Sequence, residues 1–259
     1  MKVKDIAACI EELAPVSLQE EWDNSGLSIG SPEDEVHGVL VGFDCTPELI
    51  DEAVEKGADM VITHHPLIFR GLKKIDGDDP VTRAVMRAIK SGVAVYAAHT
   101  NADKVPDGVS GAMAARLGLT GTSILDEDGE GTGLGIVGDL PKALPAEEAV
   151  EMVKERFGLE HARCSLPCSS PVSRVAVCGG SGSSLIGAAA RSGAQLYVTG
   201  DVSYHNYFID GDFMIMDIGH FESEIDVVDI LFSLIRKKFP NFVIFRSSRL
   251  RENCPVRCI

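Results

Sequence analysis

The sequence predicts an α/β protein of two related lobes, with a dinuclear metal site at strand C-terminal ends between them. Three observations lead there. Short apolar runs alternate with helical patterns of about ten residues. One strand–helix–strand segment recurs farther along the chain without a gap. Ligand-type side chains gather just past the ends of three of the predicted strands.

The elements follow in order. The N-terminal MKVKDIAACIEELAP has an amphipathic helical pattern with charges throughout, which is not the pattern of a signal peptide. A strand over 39–43 precedes a helix over 47–56. The next strand, 60–63, ends at His64-His65-Pro66. A helix over 81–90 leads to a strand over 93–97, which ends at His99-Thr100-Asn101-Ala102-Asp103. The acidic, glycine-rich run 126–133 (DEDGEGTG) reads as a linker or flexible loop. Beyond it lie strands over 174–178 and 196–199, with a helix over 183–191 between them, and a strand over 214–218 followed by Gly219-His220. Residues 1–125 then form the first lobe, joined by the tail 237–259 with its strand over 242–245, and residues 126–236 form the second. Both sheets are expected to be largely parallel.

The lobes look like copies. Laying 39–65 on 175–201 matches Val39 with Val175, Val41 with Val177, Leu49 with Leu185, Ala53 with Ala189, Gly57 with Gly193 and Thr63 with Thr199. Any two βαβ units share part of this pattern. What favours a repeat is the next strand, which ends in His99-x-x-x-Asp103 in one half and His220-x-x-x-Glu224 in the other.

Composition bounds the function. At 259 residues the chain is long enough for one to two domains, and a net charge of −15 argues against nucleic acid as the main partner, since duplex binding needs a basic stripe. No apolar run approaches the ~18 residues of a membrane span. Seven cysteines, an odd number, without a secretory signal place the expectation in the reducing cytoplasm.

The chemistry rests on five residues. Neighbouring strand residues point to opposite faces, so His64 and His65 do not suit one ion inside a strand. At a strand end broken by Pro66, both rings reach a site above the sheet edge, and two ions about 3.5–4 Å apart fit that arrangement. Taken alone, the pair reads more readily as two hydrogen-bonded surface histidines. Ser223 with Asp226 resembles a capping box, placing His220 on a loop and Glu224 in the first turn of a helix whose buried face is Ile225, Val228, Phe232 and Ile235. A carboxylate can bridge two cations; Glu224 alone would equally complement a helix dipole. Asp103 suits a terminal ligand, and His99 a ligand, an outer donor or a proton shuttle. Imidazole with carboxylate suits Zn, Fe, Mn or Co without choosing among them.

The runs Trp22-Asp23-Asn24-Ser25-Gly26-Leu27, Ile62-Thr63-His64-His65-Pro66-Leu67, His99-Thr100-Asn101-Ala102-Asp103, Thr199-Gly200-Asp201 with Tyr204-His205, and Gly219-His220 with Ser223-Glu224 resemble the GTP cyclohydrolase 1 type 2 family, also called Nif-three-like. They stand in family order over nearly the whole chain. The resemblance implies a two-lobed subunit, two divalent ions per subunit and a toroidal homohexamer. It also implies that His64 and Asp103 hold one ion, His65 and His220 the other, and that Glu224 bridges them. The implied reaction is attack of a metal hydroxide on the purine ring of GTP with release of formate, His99 or His205 moving the proton. The sequence departs from the pattern in GTGLGIVGDL (131–140), which lacks an arginine many relatives carry, and in the tail CPVRC (254–258).

Several features have two readings. Gly179-Gly180-Ser181-Gly182-Ser183-Ser184 suits a phosphate at a helix start or simply a tight turn. Trp22-Asp23-Asn24 packs beside the metal centre, or Trp22 is a core anchor. Arg70, Lys73 and Lys74 form the nearest basic cluster for a triphosphate. Cys164, Cys168, Cys254 and Cys258 have the residue types of a tetrathiolate site at unusually wide spacing. The alternative to an enzyme is a metal-binding hexameric scaffold or regulatory protein.

Overall fold

The computed structural model describes residues 1–256, which divide into two compact units: 1–102 with 227–256, and 103–226. The division at 102/103 precedes the expected 125/126 boundary, and the helix after residue 226 goes with the first unit rather than the second.

In the first unit, α1 (Val3–Glu11) buries Val3, Ile6, Cys9 and Ile10, a single helical face. It is followed by β1 (Gly26–Ile29), β2 (Gly38–Val41), α2 (Pro47–Lys56), β3 (Met60–Thr63), α3 (Pro80–Ser91), β4 (Ala94–Ala97) and the single turn α4 (Thr100–Asp103). Helices α2 and α3 begin alike: the Thr46 and Asp79 side chains accept from the third helical N–H, at Leu49 and Thr82, and proline follows each cap. Both end on glycines in the left-handed region, Gly57 and Gly92. Strands β2, β3 and β4 are buried along their whole length, as parallel strands covered on both faces must be.

The second unit contains α5 (Val109–Leu117), β5 (Thr120–Gly129), β6 (Thr132–Leu144), α6 (Ala146–Phe157), β7 (Arg163–Cys164), β8 (Val172–Ser181), α7 (Ile186–Arg191), β9 (Leu196–Gly200), β10 (Met214–Asp217) and α8 (His220–Glu224). Its strand order is β5-β6-β8-β9-β10-β7. Only β8, β9 and β10 run parallel, so this sheet is mixed rather than largely parallel. The acidic run read as a linker is the tip of the β5–β6 hairpin. There Gly133 has φ +151, and a Cβ on it would lie 2.2 Å from the Asp126 carbonyl oxygen.

The chain returns to the first unit with α9 (Asp226–Lys238), β11 (Val243–Arg246) and α10 (Leu250–Asn253). The sheet order there is β1-β4-β3-β2-β11, parallel except for β1. The two units repeat one pattern, β2-α2-β3-β4 against β8-α7-β9-β10. Ala98 N donates to Thr63 O in one and Ile218 N to Thr199 O in the other, both at 2.9 Å. By this register His99 matches Gly219, not His220. The shared histidine-to-acid spacing is therefore one residue out of step with the fold.

Glu52 ties β11's exit to α2. Its buried carboxylate accepts from Ser247 Oγ at 2.6 Å and from Ser248 N and Oγ at 2.9 Å, with Lys56 Nζ at 3.7 Å. Burial pushes its pKa up, but the serine hydrogen bonds and Lys56 outweigh that and the net direction is down. A carboxyl whose folded pKa lies below its unfolded one stabilises fully above the unfolded value, ~4.3, and loses that stabilisation as pH falls through the folded value. Glu52→Gln is therefore expected to lower the urea midpoint at neutral pH and to flatten its fall in acid. An unchanged acid limb would contradict this.

Candidate metal centre

The first unit supplies imidazoles. At the end of β3, His64 N and His65 N both reach the Phe43 carbonyl, at 3.1 and 3.3 Å, so the chain leaves the ladder there. The two rings, 4.9 Å apart between centroids, lie 5.2 and 5.3 Å from His99, which follows β4. Each of the three offers a ligand atom within 4.8 Å of the others. Each Nδ1 meets an acceptor. His64 faces the Ala98 carbonyl at 2.8 Å, His65 the Asp44 carboxylate at 2.7 Å and His99 the Asp23 carboxylate at 2.7 Å. Carbonyls and carboxylates only accept, so the proton sits on Nδ1 and the lone pair is presented on Nε2, the state in which an imidazole binds a metal.

Asp23 holds His99 firmly. Its buried carboxylate also accepts from Ser25 Oγ at 2.9 Å, Thr100 N at 3.1 Å and Thr100 Oγ1. Burial pushes the Asp23 pKa up, yet the hydrogen bonds from His99 and Thr100 hold it well below the usual carboxylate range. Trp22 is not a core anchor: it is 59% exposed, with its ring 5.7 Å from Phe69 and 6.1 Å from His99.

The second unit supplies two carboxylates and one imidazole. His220 is not on a loop but opens α8. Gly219 precedes it at φ +90, and a Cβ there would lie 2.5 Å from Glu222 Oε2. Ser223 does not form the expected box with Asp226. Its hydroxyl donates to the His220 carbonyl at 2.8 Å and accepts from Gly180 N at 2.9 Å. His220 Nδ1 meets Asp201 Oδ2 at 2.7 Å, while Nε2 stands 3.0 Å from Glu224 Oε2. Two donors each ~2.0–2.2 Å from one ion, at near-tetrahedral or octahedral angles, lie about 3 Å apart, so this pair has the spacing of co-ligands. Glu224 is buried, and it and Asp103 offer ligand atoms within 4.8 Å of one another. A cation offsets the repulsion of carboxylates so placed. The donor set fits a divalent metal.

The glycine run at the end of β8 is not a phosphate cradle. Gly180 N is taken by Ser223 Oγ and Gly182 N by Thr199 Oγ1 at 3.1 Å. Its glycines instead let α8 approach: a Cβ on Gly180 would lie 2.1 Å from Glu224 Oε1.

His205 sits on the turn Tyr204–Tyr207, exposed, with its ring 5.4 Å from Tyr204. Arg70, Lys73 and Lys74 are exposed in the loop between β3 and α3. Asp44 went unnoticed in the sequence, and Asp23 and Asp201 appeared there only as motif letters. Among the described residues no metal-ligand cluster includes a cysteine, and Cys258 lies outside them. No helix of the described residues is long and apolar enough to cross a membrane.

The Duf34/NIF3 (NGG1p interacting factor 3) family model matches residues 1–252. A GTP cyclohydrolase 1 type 2 homolog of Clostridium perfringens is 35% identical over 254 residues, covering 96% of this chain and 97% of that protein. The NIF3 homolog of Schizosaccharomyces pombe is 31% identical, covering 76% and 74%. Among solved structures, a Staphylococcus aureus hypothetical protein superposes with a TM-score of 0.91 at 26% identity, covering 100% of this chain and 99% of that one. A Bacillus cereus protein related to NIF3 gives 0.89 at 25%, with the same coverage.

Proposed function

The chain belongs to the Duf34/NIF3 family, and on that premise we propose that it is a dinuclear-metal-dependent hydrolase of the GTP cyclohydrolase 1 type 2 kind. His64 and Asp103 would hold one ion, His65 and His220 the other, and Glu224 would serve both. The observation that carries the reading is the fixing of Nδ1 on all four histidines, His64, His65, His99 and His220, by an acceptor.

Two divalent ions supply an activated water at neutral pH and polarise the electrophile. The chain's residues do the rest. Asp44, Asp201 and the Ala98 carbonyl orient the ligating rings. His99, with Nδ1–H directed to the buried Asp23, accepts a proton at Nε2 and returns it to the leaving group. His205 is the alternative shuttle. Arg70, Lys73 and Lys74 are the cations for a nucleotide's phosphates. The subunits would assemble as a toroidal homohexamer in the cytoplasm, and the imidazole and carboxylate donors suit Zn, Fe, Mn or Co.

Formate release from GTP by the metal-reconstituted protein tests the reaction. Turnover that disappears on chelation and returns with metal is expected. No turnover of any nucleotide with two ions bound would sink the cyclohydrolase reading and favour a metal-binding scaffold or regulator.

A further inference from the structure

Asp217, the last residue of β10, is buried with its side chain 2% exposed, and it is not among the metal-ligand clusters. Its oxygens are divided between two backbone segments. Oδ2 accepts from Val202 N and Oδ1 from Gly219 N, both at 2.9 Å. Val202 follows Asp201, and Gly219 precedes His220. These are the two residues whose side chains meet at 2.7 Å. One carboxylate thus pins the backbone beside each member of the pair.

The pinning has work to do. Asp201 is the one non-glycine among the described residues with a positive φ, +53°, a conformation that persists in a side-chain-bearing residue where its surroundings support it. Gly219, at φ +90, is equally unlike regular structure. Two further groups hold the clamp itself: the Arg163 guanidinium, from the neighbouring strand β7, and Tyr207 OH at 3.5 Å.

We propose that Asp217 is a positioning residue of the metal centre: through the Val202 and Gly219 N–H groups it fixes Asp201 against His220, and so fixes which imidazole nitrogen faces the ion. The inference rests on His220 being a ligand, as proposed above.

Nitrogen NMR of the histidine rings in the metal-free full chain reads this directly. In the wild type the His220 Nδ1 proton is expected held in its hydrogen bond to Asp201, whatever the state of Nε2 beside Glu224. In Asp217→Ala that hydrogen bond is expected to be partly lost, with the Nδ1 signals of His64, His65 and His99 unchanged. Asp217→Asn keeps one acceptor and is expected to fall between, which preserves the test where the alanine variant folds poorly. On metal titration, Asp217→Ala is expected to weaken the ion at His220 by ~10–100-fold and to leave the other within a factor of about two. An unchanged His220 Nδ1–H hydrogen bond in both variants overturns the proposal, as does an equal disturbance of all four histidines. A weakened Nδ1–H hydrogen bond with no metal bound by the wild type would instead leave Asp217's role standing and remove the metal reading.

Discussion

Glu224→Ala, purified without added metal, is expected to retain at most one ion per chain where the wild type retains two. On the proposed assignment Glu224 is the ligand common to both ions, so its loss weakens each. The weakening should exceed the ~10–100-fold that removal of an outer hydrogen-bond partner costs. Hydrolysis should fall with the lost ion, because the activated water depends on the pair. Glu224→Gln keeps an oxygen donor at the same place without the charge and is expected to lie between. Metal analysis and calorimetric titration check both variants. Two ions at wild-type affinity in Glu224→Ala would contradict the bridging role.

The second large effect comes from a residue with no side chain. A Cβ on Gly180 would stand 2.1 Å from Glu224 Oε1, 3.0 Å from its Cδ and 3.3 Å from His220 Cε1, on a backbone at φ +61. Gly180→Ala must therefore push the Glu224 carboxylate away as well as strain the main chain. Gly57→Ala is the control, since Gly57 has φ +68 and nothing within 4 Å of its Cβ position. Both should lose the ~1–2 kcal/mol of a left-handed alanine, a fall of a few degrees in melting temperature for a chain of this size. Only Gly180→Ala should also lose metal. Equal metal content in the two variants would mean that the close approach does not set the position of Glu224.

The parts of the fold that were legible in the sequence are those in which local pattern and tertiary role agree. The run MVIT is strand β3 to the residue, and PELIDEAVEK, between a threonine cap and Gly57, is α2. The β5–β6 hairpin was hidden because β5 lies at the sheet edge with most of its residues exposed, so its acidic, glycine-rich tip carries no apolar alternation. The start of α8 was misread for another reason. Its first turn is fixed by Ser223 reaching Gly180, 43 residues away, not by a local cap.

The same contrast runs through the site. His64, His65, His99, Asp103, His220 and Glu224 announced themselves as ligand-type residues past strand ends. The carboxylates that orient three of the rings did not. Asp44 is 21 residues from His65, Asp201 is 19 from His220 and Asp23 is 76 from His99. Nothing in the local sequence of a loop aspartate says which ring it will face. The glycine run at the end of β8 was ambiguous in the same way. Its N–H groups suited an anion until the fold supplied serine and threonine hydroxyls to fill them.

An anomalous-difference map from crystals loaded with one divalent metal locates the ions on their ligands. On the proposed assignment two peaks are expected about 3.5–4 Å apart, one bonded by His64 and Asp103, the other by His65 and His220, with Glu224 reaching both. A single peak held by His64, His65 and His99, whose ligand atoms also lie within 4.8 Å of one another, would contradict it.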